Sequence, residues 1–165
     1  MKVLITGGAG FIGYHSALKF NNKNYEIHIL DNLMRNGSDK NLELLKSKMN
    51  LIHFNVDIRN KEDVDNIIKV NKYDVIIHLA AQVAVTTSIK NPSEDFSINA
   101  IGTFNIIESI RKYSKDSILI FSSTNKVYGE FDYNILEGEK SYYFENIKGI
   151  KETQKLDFYS PYGCS

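Results

Sequence analysis

Residues 2–13 read Lys2-Val3-Leu4-Ile5-Thr6-Gly7-Gly8-Ala9-Gly10-Phe11-Ile12-Gly13. A short apolar, β-branched run breaks abruptly into glycine and then into a helix-length segment, Phe11–Phe20. The glycines fall at G-x-x-G-x-x-G spacing, a variant of the dinucleotide fingerprint. Gly7 permits the tight turn out of the strand, Gly10 lets backbone approach a pyrophosphate, and Gly13 lets the helix pack close to the sheet. The opening of the helix, Phe11-Ile12-Gly13, presents free N–H groups and the positive end of the helix dipole to phosphate. Glycine spacing alone is a weak signal. Here a strand precedes it and a helix follows, which is the context the motif requires.

Working outward, the same alternation continues. Ile27–Leu30, Leu51–Phe54, Val75–Leu79 and Ile118–Phe121 are further near-continuous apolar runs, the mark of strands buried on both faces of a parallel sheet. Between them lie helix patterns at Leu42–Met49, Glu62–Val70 and residues 94–113, the last with Phe96, Ile101, Phe104, Ile107 and Ile110 recurring. The expected fold is therefore α/β, a Rossmann-like doubly wound parallel sheet of about five strands. Residues 1–31 form its first strand–loop–helix–strand unit. Residues 129–161 carry no clear strand or helix pattern and are read as a long loop, a length that is often functional.

The second strand ends at Asp31, about 20 residues beyond the glycines, where a carboxylate accepts from ribose hydroxyls and repels a 2′-phosphate. NAD is thus expected over NADP, with nearby Arg35 as the one opposing signal. Asp57-Ile58 follows the third strand, where a loop can flank an adenine. Leu79-Ala80-Ala81 ends the fourth, and small side chains there let backbone pass close to a flat cofactor.

Composition narrows the partners. The 165 residues carry twenty basic and twenty acidic side chains and no net charge. No basic footprint points to nucleic acid and no polybasic patch to a membrane. No secretory leader or spanning run is read, and the single Cys164 has no partner, so a cytoplasmic setting is the default expectation. His15, His28, His53 and His78 are scattered and show no metal-ligand spacing, so no metal is expected.

Taken together, the Gly7–Gly13 loop, Asp31, Asp57, Leu79-Ala80-Ala81, Asn99, Ser122–Gly129 and Ser160-Pro161-Tyr162 resemble the extended short-chain dehydrogenase/reductases. These are the NAD-dependent epimerases and dehydratases of nucleotide sugars. The stretches Gln82–Ser88, Asp95–Asn99, Ser122–Gly129 and Leu156–Ser165 look in particular like the CDP-paratose/CDP-tyvelose 2-epimerases. The resemblance implies catalytic roles for Thr124 and Tyr162. It implies cofactor contacts from Asn32, Ile58, Asn99, Ser122 and Tyr162 beside those already named. It implies substrate contacts from Gln82, Thr86, Thr87, Thr124, Asn125 and Tyr162. The family's 4,6-dehydratases carry Asp-Glu after the Thr, where this chain has Asn125-Lys126, which favours epimerisation.

The implied chemistry suits these side chains. A sugar hydroxyl is a weak acid, so hydride removal needs a base; a Tyr phenol, ordinarily near pKa 10, serves once nearby positive charge lowers it. The family's partner Lys stands four residues after the Tyr, one position past Ser165. An amino-terminal fragment, one domain over 1–165 with its substrate domain absent and inactive alone, is therefore the expectation. The partner is a nucleotide sugar, with a CDP-sugar favoured, and the full-length protein is expected to be a homo-oligomer. Two alternatives stand beside this: a non-catalytic NAD-binding module, and another 4-epimerase or dehydratase of the family.

Overall fold

A computed structural model describes residues 1–130 and 133–165. Five strands, β1 (Lys2–Thr6), β2 (Glu26–Leu30), β3 (Ile52–Phe54), β4 (Val75–His78) and β5 (Ile118–Phe121), lie in the order β3-β2-β1-β4-β5. Every neighbouring pair is parallel. Strands two and three build outward on one side of β1, and strands four and five on the other. The loops leaving β1 and β4 therefore part at the carboxyl edge of the sheet, the place where this architecture opens a crevice.

Alternation along each central strand feeds two cores. Val3, Ile5, Ile27, Ile29, Val75 and Ile77 point to one face, against Ala17 of α1 (Phe11–Asn21) and Leu45 of α2 (Ser38–Lys48). Leu4, Leu30 and Ile76 point to the other, against Val64, Ile67 and Ile68 of α3 (Lys61–Asn71) and Ile106 of α6 (Thr103–Tyr113). Both faces of the sheet are covered by helices, as the continuous apolar runs require. Local signals set the helix ends: Asn60 caps α3 by accepting from the Asp63 N–H, and Glu62 and Asp63 lie in its first turn, favourable to the dipole.

Several details differ from the sequence reading. The helical run expected over 94–113 begins earlier, as α5 (Pro92–Phe96), and is not uniform: residues Ser97–Gly102 form a π-helical stretch before α6. A short α4 (Val85–Lys90) precedes it, and α2 begins at Ser38 rather than Leu42. The stretch read as a structureless loop holds an antiparallel hairpin, β6 (Ile135–Glu137) and β7 (Tyr142–Phe144), and a turn of helix, α7 (Pro161–Cys164), begins at its end. The hairpin strands are three residues each and largely exposed, so they leave no burial pattern to read. Among the described residues no helix is long and apolar enough to cross a membrane.

Candidate functional site

The glycine loop is held by its backbone. Gly7 adopts φ +67° and donates its N–H to Leu30 O at 2.8 Å, tying the end of β1 to the end of β2. A Cβ on Gly7 would lie 2.7 Å from Ala80 N, and one on Gly13 would meet Gly8 Cα at 2.6 Å. Both positions therefore admit only glycine without backbone movement. Gly10 differs: a Cβ there would meet only Gly7 O, at 3.1 Å, and the residue faces the crevice. Gly10 stands at the N-cap of α1 with no side chain to cap it, and among the described residues no side-chain hydrogen bond to the helix's first N–H groups is found. Phe11 and Ile12 at that end are exposed.

Asp31 braces this loop while facing the cavity. Its Oδ2 accepts from Ala9 N at 3.0 Å and its Oδ1 from Leu33 N at 2.9 Å. Asn41 Nδ2 donates to Ala9 O at 2.9 Å from α2. Next to it, Asn32 Nδ2 donates to Asp57 Oδ2 at 3.0 Å, and Arg59 grips Asp57 with Nε at 2.9 Å and a terminal nitrogen at 2.6 Å. Hydrogen bonding from Arg59 holds the Asp57 carboxyl below its ordinary range against an opposing effect of burial. The loop 57–59 is clamped from behind by Asn105 Nδ2, which donates to Ile58 O (3.0 Å) and Arg59 O (3.2 Å). Gly102 makes this approach possible, since a Cβ there would lie 2.5 Å from Ile58 Cδ1.

Below the crevice lies a buried relay. Thr6 Oγ1 accepts from the N–H groups of Leu79 and Ala80, both at 3.2 Å, and stands 2.6 Å from His78 Nδ1. With its lone pairs so used, the hydroxyl proton points at Nδ1, which makes Nε2 the protonated nitrogen, donating to Thr103 Oγ1 at 2.8 Å. Burial pushes the His78 imidazole down to about 4. His78 thus joins the glycine turn, the end of β4 and the start of α6 in its neutral form.

The third wall follows β4. Gln82 lies in the turn 82–84, its Oε1 accepting from Ala84 N at 2.6 Å and its Nε2 donating to Ala84 O at 2.9 Å and to Asp95 Oδ1 at 2.5 Å. Asn99, inside the π-helical stretch, pairs with the backbone of Gln82 in both directions, at 2.8 and 3.1 Å. Thr124 caps the 3₁₀ turn Asn125–Tyr128 through its Oγ1, which accepts from Lys126 N. Residue Gly163 of α7 packs on that turn, where a Cβ would lie 2.7 Å from Lys126 O, so Thr124 and Tyr162 sit on adjoining elements. Tyr162 N donates to Ser88 Oγ at 3.2 Å, docking α7 on α4.

A crevice of about 520 Å³ collects most of these groups. Gly7, Gly10, Asp31, Asn32, Asp57, Ile58, Leu79, Ala80, Ala81 and Gln82 all line it. Phe11, Ile12, Gly13, Thr86, Asn99, Ser122, Thr124, Asn125 and Tyr162 are not among its lining residues; Thr87, beside Thr86, is. Arg59 and Glu94 line it too and carry no motif that would single them out in the sequence. Among the described residues no cluster of His, Cys, Asp and Glu could hold a metal.

Residues 4–165 match the family model described as GDP-mannose 4,6 dehydratase. The chain is 46% identical to CDP-paratose 2-epimerase of Salmonella typhi over 167 residues, which is 100% of this chain and 49% of that protein. Among solved structures, the UDP-Glc/GlcNAc 4-epimerase from Campylobacter jejuni superposes with a TM-score of 0.84 at 32% identity, covering 99% of this chain and 45% of that one. The Thermus thermophilus UDP-glucose 4-epimerase, crystallised in complex with NAD, gives 0.76 at 32% identity, covering 99% and 47%. The chain thus spans about half the length of these relatives.

Proposed function

The chain belongs to the GDP-mannose 4,6 dehydratase family, and from that premise we propose that its crevice holds NAD and that the complete protein epimerises a nucleotide sugar, a CDP-sugar first among them. One observation carries the reading: a single cavity at the carboxyl edge of the sheet is walled by the glycine loop, Asp31, the 57–59 loop and the Leu79–Gln82 turn. These residues fit the cofactor. Gly10 and the start of α1 would hold the pyrophosphate, Asp31 would hold the adenosine ribose, and Asp57 and Ile58 would flank the adenine. When bound, NAD supplies the acceptor and donor of hydride.

The chain's own groups handle the proton and the orientation. Thr124 uses its Oγ1 lone pair on Lys126 N, which leaves the hydroxyl proton free to donate to the reacting sugar oxygen. Tyr162, held at its N–H by Ser88, takes the hydroxyl proton as the carbonyl forms and returns it when the alcohol is restored. Inversion then needs only that the keto sugar turn over between the two transfers. Asn125-Lys126 supplies no carboxyl pair for eliminating water.

The preference for a CDP-sugar and for inversion at carbon 2 is supported by the 46% identity to the Salmonella typhi protein. A second reading, a UDP-sugar 4-epimerase, is favoured by the likeness to the Campylobacter jejuni structure. The complete protein is read as a cytoplasmic homo-oligomer; exposed Phe96, Ile101, Phe104 and Ile107 along the run from α5 to α6 support self-association.

The test assays the complete protein with NAD against CDP-paratose, UDP-glucose and dTDP-glucose. The expected result is inversion at carbon 2 of the CDP-sugar. Tyr162→Phe is expected to lower kcat by about 10³ while calorimetric NAD binding persists. Turnover of UDP-glucose alone would install the second reading, and NAD binding without turnover of any sugar would make this a binding module.

A further inference from the structure

We propose that Asp95 is a positioning residue for Tyr162, its carboxylate fixing the α7 turn to the loop after β4. This rests on the reading of Tyr162 as the proton-transferring phenol.

Asp95 is completely buried, at 0% exposure. Among the described residues no Lys, Arg or His forms an ion pair with it. A buried carboxylate without a cation persists only where hydrogen bonds replace its hydration. Here the donors come from three separate places. Gln82 Nε2 reaches Oδ1 at 2.5 Å from the loop after β4. Asn99 Nδ2 stands 3.4 Å from the same oxygen in the π-helical stretch, its two protons divided among that oxygen, Gln82 O and Ser165 Oγ. Ser165 Oγ donates to Oδ2 at 2.7 Å, three residues beyond Tyr162. Asn99 Nδ2 also donates to Ser165 Oγ at 3.2 Å, so the Ser165 proton is directed at Asp95.

The side chain's acceptor shape matters because every neighbour is a donor. Only a group that accepts on both oxygens satisfies all three. An amide at position 95 turns an NH₂ either toward Gln82 and Asn99, which are donors, or toward Ser165. In the second case Ser165 must accept twice and leave its own proton without a partner.

The consequence falls on Tyr162. Its turn is pinned at one end by Ser88 Oγ, which accepts from Tyr162 N, and at the other by Ser165 on Asp95. Ser165 N in turn donates to Pro161 O at 2.9 Å, closing the turn around Tyr162. The first pin belongs to α4 and the second to α5. Asp95 also fixes Gln82, a lining residue of the crevice. One carboxylate thus sets the phenol-bearing turn and the cofactor-side loop relative to each other without touching either reactant.

The test compares wild type, Asp95→Asn, Ser165→Ala, Ser165→Thr and the Asp95→Asn/Ser165→Ala double variant in the complete protein. Asp95→Asn and Ser165→Ala are each expected to lower kcat about tenfold, with sugar KM and NAD affinity within about twofold. The double variant is expected to be no worse than Asp95→Asn alone, and Ser165→Thr, which keeps the hydroxyl, to stay within about threefold of wild type. Amide exchange at 162–165 is expected to quicken about tenfold in Asp95→Asn while β1 and β4 amides hold. Unchanged exchange at 162–165 overturns the proposal, as does exchange rising across the whole sheet together with lost NAD affinity. A wild-type protein inactive on every sugar would sink the reading of Tyr162, and the exchange comparison would still decide whether Asp95 anchors the turn.

Discussion

At the scale of single residues, Asp31 braces the glycine loop while lining the crevice proposed for the cofactor. Its oxygens already accept from Ala9 and Leu33, so it shapes the glycine turn before a ribose arrives. Asp31→Ala is expected to weaken NAD binding by about 1.4–2.8 kcal/mol, ten- to a hundredfold by calorimetry, and to narrow the gap between NAD and NADP. His78 gives a pH prediction. Burial lowers its folded pKa from 6.5 to about 4, so the unfolded chain takes up the proton first as pH falls. Stability from this residue is complete above the unfolded value and lost on the way down to about 4. Between about pH 7.5 and pH 4.5 the loss is expected to be about 2.5 kcal/mol in urea unfolding, and His78→Gln to flatten that slope. Burial also lowers His28, so a weaker slope remains in the variant.

Elements divide into those a sequence displays and those it hides, and the division follows burial. Strands β1, β2 and β4 are buried almost throughout, so Val3-Leu4-Ile5, Ile27–Leu30 and Val75–Ile77 announce themselves as apolar runs. The glycine turn was legible for a related reason, because Gly7 and Gly13 leave no room for a Cβ and so demand glycine at fixed spacing. The β6–β7 hairpin was not legible, since Ile135, Tyr142 and Tyr143 lie exposed and follow no core. Asp95 was hidden otherwise: its partners Gln82, Asn99 and Ser165 converge only after folding, and a lone helical Asp reads as solvated. The end of the hairpin segment is fixed at Gly129, which has φ +66° and would place a Cβ 2.8 Å from Asp157 Cβ and Cγ. Asp157 N donates to Val127 O at 3.0 Å and closes this junction. Gly129→Ala is expected to destabilise the junction by about 1–3 kcal/mol. Limited proteolysis would then cut the segment between Gly129 and Asp157 faster, with NAD affinity unchanged.

Across the whole molecule, the sheet is asymmetric in how well its flanks are covered. Around β1 and β2 both faces are packed, whereas β5 stands at an edge with Ile118 61%, Ile120 49% and Phe121 55% exposed. Ile118 and Ile120 pair with Val75 and Ile77, so they extend the face that α1 and α2 cover nearer the middle of the sheet. Leu119 points the other way and is packed. An edge strand that offers unpaired backbone and apolar side chains together is a template for another chain. The 165 residues by themselves are therefore expected to associate at micromolar concentration, with light scattering giving a mass above one chain. Replacing Ile118 and Ile120 by Lys and Thr should return the mass to that of a monomer, because charge at an edge opposes pairing while Leu119 keeps β5 in the sheet. The crevice proposed for NAD is lined by the loops after β1, β2, β3 and β4 and by neither of these two residues, so the double variant should bind NAD as the parent does. A monomeric parent chain, or association that survives the substitution, would place the contact surface elsewhere, on the exposed apolar run from α5 to α6.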